Sequence, residues 1–165
     1  MKRCLFFIFC LGCILNAKSQ PDFQNSNSAV GKTFKKINDI NVFKNYKEEE
    51  AVAITDSKEH RNAFYKITDG SRRLVVFTTL TPQGNKILAI LDIGKIEKNM
   101  RVLLRECRVN GKTDGFVVAL VGTKPWKAHF TNVIKAWRVD QIKNTFVDVP
   151  TKGIDCLNEE FENED

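Results

Sequence analysis

Two histidines, two late cysteines, a scatter of carboxylates and a set of arginines are the side chains with which this chain could do chemistry. His60 and His129 lie far apart, and neither has a second ligand at metal spacing, such as another histidine one helical turn away or a paired-cysteine motif. A thiol hydrolase would need Cys107 activated by His129. The oxidising compartment argued below makes Cys107 a better candidate for a bridge than for a thiolate. Acid–base work could draw on Glu48 to Glu50, Asp92, Glu97 or Glu106, but no spacing singles out two facing carboxyls. The glycines never gather ahead of a helix, so nucleotide phosphate has no cradle. These patterns point to no cofactor and no metal, and to a binding or structural protein rather than an enzyme. A hydrolase of an envelope polymer, acting through carboxylates, is the second reading.

The cations offer more. Arg72 and Arg73 open one apolar run, Arg101 and Arg105 lie in another, and Lys135 and Arg138 flank Trp137. On one face they would attract a polyanion, such as an acidic polysaccharide or lipid head groups, through a long-range and salt-dependent field. Spread evenly, the same bases would only keep the domain soluble. Trp126 and Trp137 divide in the same way between a ligand platform and ordinary core packing.

The compartment is read from the N-terminus. Lys2 and Arg3 precede an uncharged apolar run from Cys4 to Leu15, and Ala17-Lys18-Ser19 offers small residues for cleavage, so residues 1–19 read as a secretory signal. The run falls short of the roughly 20 residues of a permanent membrane helix. Leu11-Gly12-Cys13 also reads as a lipoprotein box, which would acylate Cys13 and anchor the chain instead of releasing it. The expected location is therefore secreted or periplasmic, with a lipoprotein as the alternative, and genomic DNA is not an expected partner. Of five cysteines, only Cys107 and Cys156 lie beyond the signal. In an oxidising compartment they suggest one disulfide, and otherwise two buried thiols.

Cleavage after Ser19 would remove Lys2, Arg3 and Lys18 and leave 23 bases against 20 acids. Six of those acids, Asp155, Glu159, Glu160, Glu162, Glu164 and Asp165, fall in the last twelve residues, which hold no base. A basic body thus precedes an acidic tail. Such a tail could lie across the basic face and compete with anionic ligands, or simply fray into solvent.

The elements that must position these groups are mainly β. Residues 20–33 are polar and read as a disordered leader, 34–158 as a single domain, and 159–165 as the tail. Leu74 to Leu80 and Ile87 to Leu91 form one hairpin about Pro82-Gln83-Gly84-Asn85; Met100 to Val109 and Phe116 to Val121 form a second, and Ile134 to Val139 with Thr145 to Val149 a third. Phe34 to Tyr46 fits either a strand or a short helix. Helices are expected after Asn45 through Ile54, from Ser57, and from Trp126 to Ile134, where Phe130, Val133, Ile134 and Trp137 recur at helical spacing. The predicted architecture is a curved antiparallel sheet of successive hairpins with one or two short helices, and α+β is the alternative class. An exposed edge of such a sheet would suit an envelope protein as partner.

Lys135-Ala136-Trp137-Arg138, the later Gly153-Ile154-Asp155-Cys156-Leu157-Asn158-Glu159, and Cys107 followed by Val109-Asn110-Gly111-Lys112 resemble a group of small secreted bacterial proteins of uncharacterised function. The resemblance spans roughly residues 85 to 160. It implies a bacterial envelope protein, implies no activity, and carries over no functional residue.

Overall fold

The computed structural model describes residues 26–55, 61–125 and 127–161. The signal, Cys13, the helix expected from Ser57, His60, Trp126 and the last four residues lie outside them. In chain order the strands are β1 (Thr33–Phe34), β2 (Lys47–Thr55), β3 (Arg61–Thr68), β4 (Arg73–Thr81), β5 (Gly84–Gly94), β6 (Met100–Leu104), β7 (Cys107–Val109), β8 (Lys112–Thr113), β9 (Val117–Gly122), β10 (His129–Phe130), β11 (Val133–Asp140), β12 (Thr145–Val149) and β13 (Ile154–Leu157). They form three sheets, ordered β1-β5-β4-β3-β2, β12-β11-β9-β6 and β10-β13-β7-β8, with every pairing antiparallel. The protein is mainly β, its sheets are antiparallel and one curls into a half-barrel.

Strand periodicity explains how the sheets stack, because successive side chains point to opposite faces. In β4, Leu74 and Val76 face the N-terminal segment while Val75 and Phe77 face the second sheet. All four are at most 1% exposed, which is why this stretch reads as a continuous apolar run rather than an alternating one. The N-terminal side is covered by Ala29, from the turn at residues 26–31, by Phe34 of β1, and by Ile37, Ile40 and Phe43, in and between two 3-10 turns, Ile37–Asp39 and Asn41–Phe43. Between the first and second sheets, Phe64, Val75 and Phe77 meet Val102, Leu104, Val118 and Val139. On its other face the second sheet sends Val117, Ala119, Val121 and Ala136 against Cys107, Phe130, Ile154 and Cys156 of the third. The first and second sheets are thus each buried on both faces.

The first and third expected hairpins form as β4–β5 and β11–β12. In β4–β5 the turn is Pro82-Gln83, followed by Gly84 at φ +131°, where a Cβ would collide with the carbonyl of Phe34 on β1. Other expectations need correction. The helix placed from Lys47 to Ile54 is strand β2: Ala51, Val52, Ala53 and Ile54 pair with β3, and the acids that look like a first helical turn lie on an exposed edge strand, where charge discourages further pairing. The helix expected over Trp126 to Ile134 is, in its described part, a loop, β10 and the start of β11. Its helical spacing comes from a bulge between Val133 and Lys135, which leaves Ile134 exposed while Phe130 and Val133 join the core. The second hairpin is shorter than expected. Arg105 takes φ +67° and the Glu106 amide donates to the Leu104 carbonyl (2.8 Å), so the chain leaves the second sheet and Cys107 begins a strand of the third.

That step brings Cys107 opposite Cys156 in the β7–β13 register, and the two form a disulfide with Cα atoms 4.0 Å apart. Because the bond spans 49 residues, Cys107→Ala with Cys156→Ala should lower unfolding free energy by about 4 kcal/mol in urea titration on the chain-entropy argument. A loss near zero would show that the loop is already constrained in the unfolded chain.

Between β3 and β4, Asp69 organises the turn: one carboxylate oxygen accepts from the Ser71 and Arg72 amides (2.8 Å each) and from the Ser71 hydroxyl (2.9 Å). Partial burial pushes this carboxyl up, but the hydrogen bonds outweigh it and hold it below its ordinary value of 3.8. A lowered carboxyl stabilises the fold above its unfolded pKa, and the contribution fades as pH falls through the folded one. Asp69→Asn should therefore be less stable than the parent at pH 6, with the gap closing in denaturation curves as pH falls below the ordinary carboxylate range. A gap that persists unchanged at the lowest pH would mean that the charge plays no part.

Candidate functional site

β2 is one edge of the first sheet and β6 one edge of the second. Between them lies a groove of about 730 Å³, which the C-terminal residues Leu157, Asn158, Glu159 and Glu160 also line. Strand edges carry backbone groups available for pairing, and here side-chain charges of both signs accompany them.

Lys66, on β3, bridges the seam. Its ammonium donates to Glu50 Oε2 (2.5 Å) on β2 and to the Val102 carbonyl (3.3 Å) on β6. Its side chain is 17% exposed. A bulge between Glu48 and Glu50 sets Glu49 apart from the ladder, and its carboxylate takes a two-pronged contact from Arg73, Nε to Oε2 at 2.9 Å and Nη2 to Oε1 at 3.0 Å. On β6, Arg101 Nη1 lies 2.7 Å from Glu160 Oε1 of the C-terminal segment. At the bend, Arg105 Nε donates to Glu106 Oε1 at 2.8 Å.

Of the six cations singled out for anion binding, the structure therefore brings Arg73, Arg101 and Arg105 to one groove. The others stand apart. Arg72 pairs with Asp92, including Nε to Oδ1 at 2.9 Å, and this raises the already high pKa of the guanidinium. Arg138 donates to Asp114 (2.7 Å) beside a second hollow of about 490 Å³. Lys135 lies 3.7 Å from Asp148 with its ammonium 5.0 Å from the centre of the Trp137 ring. All six have an acidic partner, so they form separate ion pairs rather than a continuous basic face. Among the described residues, the exposed Lys35, Lys36 and Lys44 of the N-terminal layer make no ion pair.

Sequence reasoning missed Lys66 and the partners of Glu49 and Glu50; a tail lying across the basic face was expected, but not that Glu160 would meet Arg101. The acids read as a helix turn, and Lys66 sits inside a strand with no local sign that it faces another sheet. Trp137, 6% exposed, is core between the first two sheets. The disulfide occupies the Cys107 sulfur, and His129 Nδ1 is buried without a hydrogen-bond partner among the described residues. Among the described residues, no group of three or more His, Cys, Asp or Glu is placed to hold a metal ion, and no helix is long and apolar enough to cross a membrane.

No protein-family model, no curated protein and no solved structure matches this chain.

The Lys66 bridge makes an asymmetric prediction. Lys66→Met leaves Glu50, whose side chain is 39% exposed, free to take up water, and should cost about 1 kcal/mol. Glu50→Ala strands the more buried ammonium and should cost more in the same urea titration. Equal losses would place the ammonium in water rather than in the seam.

Proposed function

We propose that this chain is an exported binding domain that takes an anionic ligand in the groove between β2 and β6. The observation that carries the reading is the convergence of Arg73, Arg101 and Arg105 with Lys66 around one groove flanked by two sheet edges. Each of these cations already holds a carboxylate, so binding is an exchange of partners: ligand anions replace Glu160 and Glu106, which return to water. Such an exchange is weak per contact and salt-dependent, because exposed pairs are worth about 0–1 kcal/mol each. Secretion or release into a periplasm follows from the signal read in residues 1–19, with acylation at Cys13 as the anchored variant. The Cys107–Cys156 disulfide and the lack, among the described residues, of a helix able to cross a membrane are compatible with that location. The resemblance to small secreted bacterial proteins fits an envelope setting.

The test compares three proteins for binding to a sulfated polysaccharide and to polyglutamate at low and high salt. Arg101→Ala with Arg105→Ala should weaken binding about ten-fold relative to the parent at low salt. Lys35→Ala with Lys36→Ala, which removes the same charge away from the groove, should change it little. If the lysine pair matters and the arginine pair does not, the site lies on the N-terminal layer and the groove reading fails.

A further inference from the structure

The groove already contains one carboxylate delivered on a turn of the same chain, and this indicates the ligand it suits. The C-terminal segment is fixed at its base. Cys156 is bonded to Cys107, the Leu157 amide donates to the Glu106 carbonyl (2.8 Å), and the Asn158 amide donates to the Ala128 carbonyl (2.8 Å). The Asn158 side chain donates through Nδ2 to the Lys127 carbonyl (3.0 Å), and the residue is 2% exposed. Beyond that anchor the chain turns, with the Phe161 amide donating to the Asn158 carbonyl (3.0 Å). Glu160 meets Arg101 at 2.7 Å, but their side chains are 61% and 38% exposed. A pair so open to water gives way to a competitor of the same chemistry at little cost.

We propose that the segment from Asn158 to Glu160 is a self-inhibitory strap, and that the ligand it holds off is an acidic peptide segment. The proposal rests on the groove reading above. Acids on the groove walls favour a peptide over a dense polyanion. Glu49, Glu50 and Glu106 stand among the cations and would repel a ligand charged along its whole length. A peptide can set single carboxylates against Arg101 and Arg105 and leave uncharged backbone beside the acids. Glu160 presents this chemistry in cis, and Asn158 keeps it at high local concentration, so a partner must outcompete a tethered rival.

The experiment uses the full chain and a blocked six-residue peptide with two glutamates separated by serines and glycines, with a sulfated oligosaccharide as comparator, followed by fluorescence anisotropy at low salt. Glu160→Gln should tighten peptide binding by about two- to five-fold, the range expected for loss of one exposed competing pair. Glu164→Gln makes the same charge change further along the tail and should have less effect. In an Arg101→Ala background, Glu160→Gln should give no gain, since the contact it releases is already absent. A gain of equal size with and without Arg101, or equal gains from Glu160→Gln and Glu164→Gln, would reduce the effect to long-range tail charge and overturn the strap. Sulfated oligosaccharide bound more tightly than peptide would overturn the choice of ligand while leaving the groove reading standing. Peptide binding indifferent to both Arg101→Ala and Arg105→Ala would remove the groove reading and the strap with it.

Discussion

The apolar layer between the first and second sheets is the constraint on which the rest of the structure depends. Phe64, Val75 and Phe77 on one side and Val102, Leu104, Val118 and Val139 on the other must all be covered at once, and that sets the two sheets face to face. Facing sheets have edges, and two of these edges, β2 and β6, lie along one groove. The groove is thus a consequence of burying the core. Its charges are what make an open seam tolerable in water: acids on β2 and Lys66 reaching across to β6 oppose further strand pairing. Features that protect the edge also supply the chemistry with which a ligand would have to compete.

The short step at Arg105 and Glu106 links this core to the C-terminus. By turning the chain out of the second sheet, it places Cys107 opposite Cys156 and leaves the Glu106 carbonyl to receive the Leu157 amide. The acidic segment is therefore anchored beside the groove instead of trailing from a distant surface. One backbone residue at positive φ couples sheet order, disulfide and strap. Each side of the coupling is local, yet it joins parts of the chain 49 residues apart.

Charge in this protein is organised by pairing more than by excess. The arginines singled out in the sequence each meet a carboxylate, while Lys35, Lys36 and Lys44 of the N-terminal layer make no ion pair among the described residues. A net charge alone would suggest a uniformly basic surface. Pairing makes the field patchy and short-ranged, which favours a ligand that matches individual charges over one attracted by the sum.

Much of the fold was legible in the chain because its causes are local. Branched and aromatic runs make strands, Pro82-Gln83 followed by Gly84 makes a turn, and strands in succession make antiparallel sheets; two of the three hairpins follow from such patterns, while the pairing of Cys107 with Cys156 was suggested only by their being the two cysteines beyond the signal. Lys47 to Ile54 shows where local reasoning ends. Its acids and alanines suit a helix, and only the β3 ladder beside it makes it a strand. The helical spacing from Phe130 to Trp137 misleads for a related reason: a bulge at Ile134 splits those side chains among two core faces and solvent. The groove was half legible. Arg73, Arg101 and Arg105 were visible as cations, but Lys66, Glu49 and the Glu160 contact exist as a site only because two sheets and a terminus meet there. Residue type determined which groups carry charge and where most of the strands form. Which charges face one another was decided by the tertiary structure, because burial of the apolar layer, and not the charges themselves, sets where the edges lie.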